Sequence, residues 1–471
     1  MPPANILLIH SDQHRWDCVG ANGHPFLKTP GIDRLAREGA NFTHAFCPIP
    51  ICVPARASLL TGAWPSVHGC ITNFDAEIFQ PVPPDMPTFS RMLRDAGYWL
   101  GYVGKWHVDP KRKPEDFGFH EYVSDGRYGA WRRGQGLPPL PRDKGWFGQP
   151  DPHVRPEQSR MAWGADHILR MLREHSADAR PAAAGDAPRR PFFIRWDPSE
   201  PHLPNIVPEP YNSMYPPEGL KPWGSFPDPL EGKPYIQRQQ RRTWGIDGWT
   251  WKDWAPIVGR YLGDVSLLDA QVGRILAALD ESGLAQDTLV VYTADHGDMT
   301  GSHGMIDKHY IMYDDVVRVP LLARWPGRMA AGGRSDAFVS SAIDLARTFV
   351  EAAGMKPCAT FVGSNLADVA RGEAGAQRQD IFCSYHGNQF GLFSQRMVRD
   401  RRWKYVWNAT AEDELYDLQE DPWEMRNLAR DAAHAGDLAR LRRRLVDWMK
   451  DTKDRLLNSW TGPQILEGRK V

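Results

Sequence analysis

The chain has 471 residues, with 57 Lys and Arg against 58 Asp and Glu and a formal charge of −1. Hydrophobic residues at 42% and charged residues at 24% fit a soluble globular protein with a substantial core. The neutral balance argues against a nucleic-acid clamp or a polybasic membrane binder, both of which need one-sided charge.

In chain order, Ile6-Leu-Leu-Ile9 reads as a buried strand that runs straight into the polar Ser11-Asp12-Gln13-His14. No basic region precedes it, and four apolar residues are too few for a signal segment. No stretch approaches the roughly 18 apolar residues of a membrane span. Six cysteines without CxxC spacing fit a reduced protein, so the expected compartment is cytoplasmic, with no membrane and no nucleic-acid partner. Pro30 opens a helix stopped by Gly39, and Phe89–Ala96 reads as another, followed by a strand over Tyr98–Val103. The Ala-, Pro- and Arg-rich stretch Ser176–Arg190 reads as a mobile surface insertion before a strand at Phe192–Trp196. Trp254–Leu279 carries a long helical period, and Thr288–Thr293 is the strongest strand pattern in the chain.

This alternation predicts an α/β fold with a mixed central sheet sandwiched by helices. In such folds chemistry gathers at the carboxyl ends of strands, where Asp12 and Asp295 both stand. Residues 110–156 and 204–254 are Pro- and Trp-rich and weakly periodic, so they read as ordered functional loops. From about Gln377 short strand patterns precede an amphipathic helix with Asp437 as its N-cap. The expected organisation is a catalytic domain over 1–376 and a smaller α+β subdomain over 377–471.

Cys52-Val-Pro-Ala-Arg56 places a cysteine ahead of a proline-initiated helix. A lone cysteine is by itself usually a small core residue. Here the helix dipole and Arg56 would favour an anion beside it. With Leu60-Thr61-Gly62, this segment resembles the Cys-x-Pro-x-Arg signature of the type I sulfatases, in the alkaline phosphatase superfamily. Further segments agree in order: Asp12-Gln13, Gly104-Lys105-Trp106-His107, Pro201-His202-Leu-Pro204, Asp295-His296-Gly297-Asp298 and Lys308. The run Glu414-Leu-Tyr-Asp-Leu-Gln-Glu-Asp421-Pro422 extends the resemblance toward the C-terminus. Ala55 and Ala63 depart from commoner serine and arginine without removing a group the chemistry needs.

The resemblance implies that Cys52 is converted to formylglycine by a formylglycine-generating enzyme, and that the hydrated aldehyde is the nucleophile. A second hydroxyl on one carbon lets the sulfated intermediate break at its C–O bond, whereas serine would leave a stable ester. It also implies one divalent cation on Asp12, Gln13, residue 52, Asp295 and His296. Oxygen donors favour Ca²⁺ or Mg²⁺, and the nitrogen of His296 makes Mn²⁺ an alternative. Arg56, Lys105 and Lys308 would clamp the sulfate, with His107 and His202 moving protons at the nucleophile and the leaving alcohol.

Asn73 and His386 are weaker candidates for substrate contact, and Asp298 and His303 for supporting the loop around Lys308. Trp131, Trp146, Trp223, Trp244, Trp249, Trp251 and Trp254 could stack on a ring or pack a core. The expected activity is hydrolysis of a small sulfate monoester, such as a sulfated sugar, choline sulfate or an aryl sulfate, with homo-oligomerisation possible. The rivals are a phosphonate monoester or phosphodiester hydrolase with the same nucleophile, and a non-catalytic sulfatase-like binding protein. Lys105 and His107 favour the sulfatase, because the resembled phosphonate enzymes lack that pair.

Overall fold

The computed structural model describes residues 4–176, 190–387 and 391–470. The interior of the insertion expected over Ser176–Arg190 lies outside the described residues. In chain order the strands are β1 (Asn5–Ser11), β2 (Ala40–Phe46), β3 (Trp99–Gly104), β4 (Glu121–Ser124), β5 (Gln149–Pro150), β6 (Phe192–Asp197) and β7 (Ile206–Val207). They continue with β8 (Thr288–Ala294), β9 (Leu321–Arg324), β10 (Gly333–Ser340), β11 (Ile381–His386), β12 (Ser394–Arg399), β13 (Trp403–Asn408) and β14 (Glu414–Asp417). Eight of them form the main sheet in the order β10-β2-β9-β8-β1-β6-β3-β4. Every neighbouring pair is parallel except the two that involve β9, so the sheet is mixed as expected.

The central strands are buried on both faces, which explains their unbroken apolar runs. Side chains still alternate between two cores. Ile6, Leu8, Leu289 and Val291 join the core under the helices Cys52–Thr61, Phe89–Asp95 and Ser341–Ala352. Leu7, Ile9, Val290 and Tyr292 face the opposite core, with the helices Pro30–Glu38, Arg160–Glu174 and Trp251–Glu281. The last begins earlier than its apolar period, because Thr250 and Asp253 close a capping box ahead of it.

The four strands β8, β1, β6 and β3 are adjacent and parallel, so their carboxyl ends share one edge of the sheet. Backbone bonds carry the register past the strands: Asp295 N–H donates to Ser11 O at 3.2 Å, and Lys105 N–H to Asp197 O at 2.9 Å. Asp295, Asp12, Asp197 and Lys105 are thereby brought to one rim.

Strands β11 to β14 form a separate antiparallel meander. One face packs Tyr405, Trp407 and Leu415 against Leu441, Leu445 and Trp448 of the helix Ala435–Asp451. Ring stacking of Phe382 on Trp448, with centroids 4.8 Å apart, belongs to the same contact. The opposite face contributes Cys383, Tyr385 and Met397 to the core of the main sheet. Asp437 is not the N-cap expected for that helix. His434 holds the cap position, and Asp437 lies in the first turn, where its charge meets the positive end of the helix dipole. The long irregular stretches are ordered and tied together by pairing of β5 with β7.

Gly104 closes β3 at φ 110°, and a Cβ there would run into the Asp197 carbonyl oxygen. Gly104→Ala is expected to cost roughly 2 kcal/mol or more, from left-handed strain and the clash together, read as a lowered midpoint in chemical unfolding.

Candidate active site

Cys52 is the first residue of its helix, and Asn73 Oδ1 accepts the next amide, Val53 N–H, at 3.1 Å. The Cys52 Sγ lies 3.2 Å from His296 Nε2 and 3.7 Å from Asp12 Oδ1. One ligand atom from each of Asp12, Cys52, Asp295 and His296 falls within 4.8 Å of the others, and all four residues are buried. The His296 ring donates from Nδ1 to its neighbour, Gly297 O, at 2.9 Å, which turns Nε2 toward the cluster. Two carboxylates, a sulfur and an imidazole nitrogen converging in a buried space form a donor set that fits a divalent cation.

Arg56 holds this arrangement from below and is fully buried. Its Nη2 donates to Asp12 Oδ2 at 2.9 Å and its Nε to Asp295 Oδ2 at 3.1 Å, while Nη1 reaches Asp197 Oδ2. Lys105 Nζ donates to Asp12 Oδ2 at 2.6 Å. Burial pushes the Cys52 thiol up, but Lys105, Lys308 and His296 outweigh it and hold the thiol well below its ordinary value. Burial likewise pulls His296 down, and the negative charge of Asp295 and Cys52 overrides it, raising the ring to about 9. The space therefore favours an anion at residue 52 and positive charge beside it.

Gln13 sits at φ 65°, directly after the Asp12 carboxylate. Its Oε1 accepts from Lys308 Nζ at 3.0 Å, and its Nε2 donates to Asp298 and to Asp307 Oδ1. The amide oxygen expected to face a metal is thus turned to Lys308. Burial pulls Lys308 down, but Asp307 and Cys52 outweigh it and keep the amine charged. Lys308 Nζ also donates to His202 Nε2 at 2.9 Å, while the other ring nitrogen bonds Leu203 O at 2.5 Å. His107 sits at φ 39°, edge-on to Phe74, with Nδ1 buried and without a partner among the described residues. Burial and Lys105 hold this imidazole below its ordinary value.

Asp298 ties the loop down through Gln13 and the Thr300 amide, the support expected of it. His303 is instead bonded to Asp228 at 2.6 Å and stacked on Tyr313. The structure places His386 in the second sheet, between Ser394 Oγ at 3.1 Å and Arg396 Nη2 at 3.0 Å, and among the described residues its ring makes no hydrogen bond to the Cys52 cluster. Burial, helped by Arg396, holds it neutral down to about 3. Of the seven tryptophans considered, Trp146 lines the cavity beside the cluster, whereas Trp244, Trp249, Trp251 and Trp254 share an apolar cluster.

Asp197 and Asp307 were not among the sequence candidates. Asp197 collects Arg56, Arg195 at 2.5 and 2.6 Å, the Tyr102 hydroxyl at 2.9 Å and His10 at 3.2 Å. Burial pushes its carboxyl up, but Arg195, His10 and Arg56 hold it below the usual carboxylate range. Its position at a strand end was the available signal, since that rule had already selected Asp12 and Asp295.

Comparison with known families agrees with this geometry. The sulfatase family model matches residues 4–355, and the model for the C-terminal part of N-sulphoglucosamine sulphohydrolase matches residues 301–451. The chain belongs to the type I sulfatase family of the alkaline phosphatase superfamily, and is a sulfatase. It is 29% identical over 496 residues to an arylsulfatase of Clostridium perfringens (strain 13 / Type A), covering 99% of this chain and 98% of that relative. It is also 29% identical to the multifunctional alkaline phosphatase superfamily protein PehA of Trinickia caryophylli, over the full length of both. Among solved structures, a phosphonate monoester hydrolase of Agrobacterium radiobacter superposes with a TM-score of 0.81 at 26% identity, covering 95% of this chain and 96% of the other. Among the described residues no helix is long and apolar enough to cross a membrane.

Asp295 belongs to the donor cluster, and its Oδ2 accepts from Arg56 Nε at 3.1 Å. Asp295→Asn is expected to weaken binding of Ca²⁺ or Mn²⁺ by at least ~10–100-fold, read by calorimetric titration of the metal-free protein.

Proposed function

We propose that the protein hydrolyses a small sulfate monoester to an alcohol and sulfate, with residue 52 converted to formylglycine and one divalent cation on Asp12, Asp295, His296 and residue 52. The observation that carries this reading is the burial of Cys52 within hydrogen-bonding range of His296, between Asp12 and the Lys105 and Lys308 amines. A thiol serving only the core would have apolar neighbours instead. The bound cation would supply Lewis-acid polarisation of an ester oxygen and lower the pKa of the residue 52 hydroxyl. Ca²⁺ is our first assignment, given two carboxylates, with Mn²⁺ and Mg²⁺ as alternatives.

The chain's own groups then have distinct tasks. Arg56 orients the Asp12 and Asp295 carboxylates, and Lys105 and Lys308 stabilise charge developing on the sulfuryl oxygens. His107, held neutral by burial and Lys105, takes the proton of the residue 52 hydroxyl. His202 and Lys308 share one proton path at 2.9 Å and serve the departing alcohol oxygen. In the rest state Lys308 is the donor of that pair and the other ring nitrogen is bonded to Leu203 O, so the proton for the alcohol comes from the Lys308 amine, which His202 Nε2 holds in line. The same reading divides the chain near 376 and 377, supported by the start of the second sheet at Ile381.

A phosphonate ester is the second reading, and the high structural similarity to phosphonate monoester hydrolases supports it. The Lys105 and His107 pair at the rim favours the sulfatase.

Co-expression with a formylglycine-generating enzyme is expected to give the aldehyde mass at residue 52, and the modified enzyme should show a higher kcat/KM for 4-nitrophenyl sulfate than for the matched phenylphosphonate ester. The reverse ranking would transfer the assignment to the second reading. His202→Ala is expected to slow esters of poor leaving groups by about 10²–10⁴-fold and those of good ones far less. Equal losses across a series of phenyl sulfates would remove His202 from leaving-group departure.

A further inference from the structure

A cavity of about 240 Å³ opens beside the cluster and shares Lys105 and His202 with it. Sites for drug-sized ligands run to ~300–1,000 Å³, so this one suits a single ring or a chain of similar bulk. Leu140, Val154, Ile206 and Leu267 give it aliphatic walls. Its charges are unevenly matched. Asp151 gives both oxygens to Arg132, at 2.6 and 3.1 Å, and Lys105 is matched by Asp12. Glu200 Oε1 accepts from Arg160 Nε at 2.8 Å and Asp125 and Asp264 add negative charge near that guanidinium, while among the described residues its terminal nitrogens donate no hydrogen bond to protein. Arg142, also in the lining, has no acidic side-chain partner among the described residues. Trp146, from the same loop as Arg142, is 57% exposed and lines the cavity too.

We infer that this cavity holds the alcohol half of the ester, that the alcohol is a single-ring compound carrying a second anionic group, and that Arg142 and Arg160 read that group. The inference rests on the preceding assignment of His202 to the leaving-group side. A guanidinium presents a planar fork of donors that matches a carboxylate or sulfate through two bonds. Covering such donors with a neutral alcohol would strip their water and return no acceptor. The aliphatic walls and the indole of Trp146 suit the body of a ring, which leaves the anion to fix its orientation.

The test does not depend on turnover. Phenol, 3-hydroxybenzoate and 3-hydroxybenzenesulfonate are titrated calorimetrically into the full-length protein and into Arg142→Gln and Arg160→Gln. Both anions are expected to bind about tenfold or more tightly than phenol, with most of that preference lost in each variant; the ranking of carboxylate against sulfonate identifies which anion the fork fits. Equal affinities for the three compounds, no binding of any of them at millimolar concentration, or a preference that survives both substitutions would overturn the inference. Arg142 stands outside the Glu200 pair, so Arg142→Gln keeps the test decisive if Arg160→Gln does not fold. A parallel comparison of phenyl sulfate with 3-carboxyphenyl sulfate separates the two readings: if neither ester is hydrolysed but the binding preference stands, the sulfatase chemistry fails and the cavity assignment survives.

Discussion

Asp12, Asp197 and Asp295 stand at the ends of three neighbouring parallel strands, and without a counterion between them their charges would repel. Arg56 is that counterion, reaching all three from a helix that starts at Cys52. The guanidinium is fully buried, so its charge is compensated by these carboxylates and by the Lys105 carbonyl rather than by water. Breaking one such buried pair typically costs about 3–5 kcal/mol, because the remaining charge is left uncompensated. The position of residue 52 against the donor cluster follows from this constraint, since Cys52 and Arg56 lie one helical turn apart.

The cluster shows the electrostatic bias a charge-developing reaction needs. Burial pushes the Asp12 carboxyl up, but Lys105, His202 and Arg56 hold it ionised, and Lys308 is kept charged by Asp307 against its own burial. His107 and His296 lie in the same few ångströms yet are pushed in opposite directions. Burial and Lys105 lower the first, whereas Asp295 and Cys52 raise the second. One fold thereby sets two imidazoles to different work, by placing one beside a cation and the other beside anions.

The cavity beside the cluster is built from different material. Asp12, Asp197, Asp295 and Arg56 sit on strand ends and one helix, all tied to the main sheet. The adjoining cavity is walled largely by the long irregular stretches, braced by pairing of β5 with β7 and by Arg260 Nη1 donating to Phe147 O at 3.0 Å. Such a division lets the loops vary in what they bind while the reacting groups keep their geometry.

The strand and helix periods, the signature around Cys52 and the family's other motifs were all legible in the chain, because each is local: alternation, caps and short spacings need no knowledge of distant partners. Asp12, Arg56, Lys105, Asp295, His296 and Lys308 were named from such segments and converge in space. Asp197 also ends a strand, the signal that selected Asp12 and Asp295, but it belongs to none of the short motifs, and the parallel pairing of β6 between β1 and β3 is what sets it against Arg56. His386 is the converse case, since a short Tyr-His-Gly motif cannot reveal that Arg396, on the neighbouring strand β12, holds its ring. Local pattern determined which side chains were available for chemistry; strand order decided which of them meet, because hydrogen-bonded register joins residues nearly 300 positions apart.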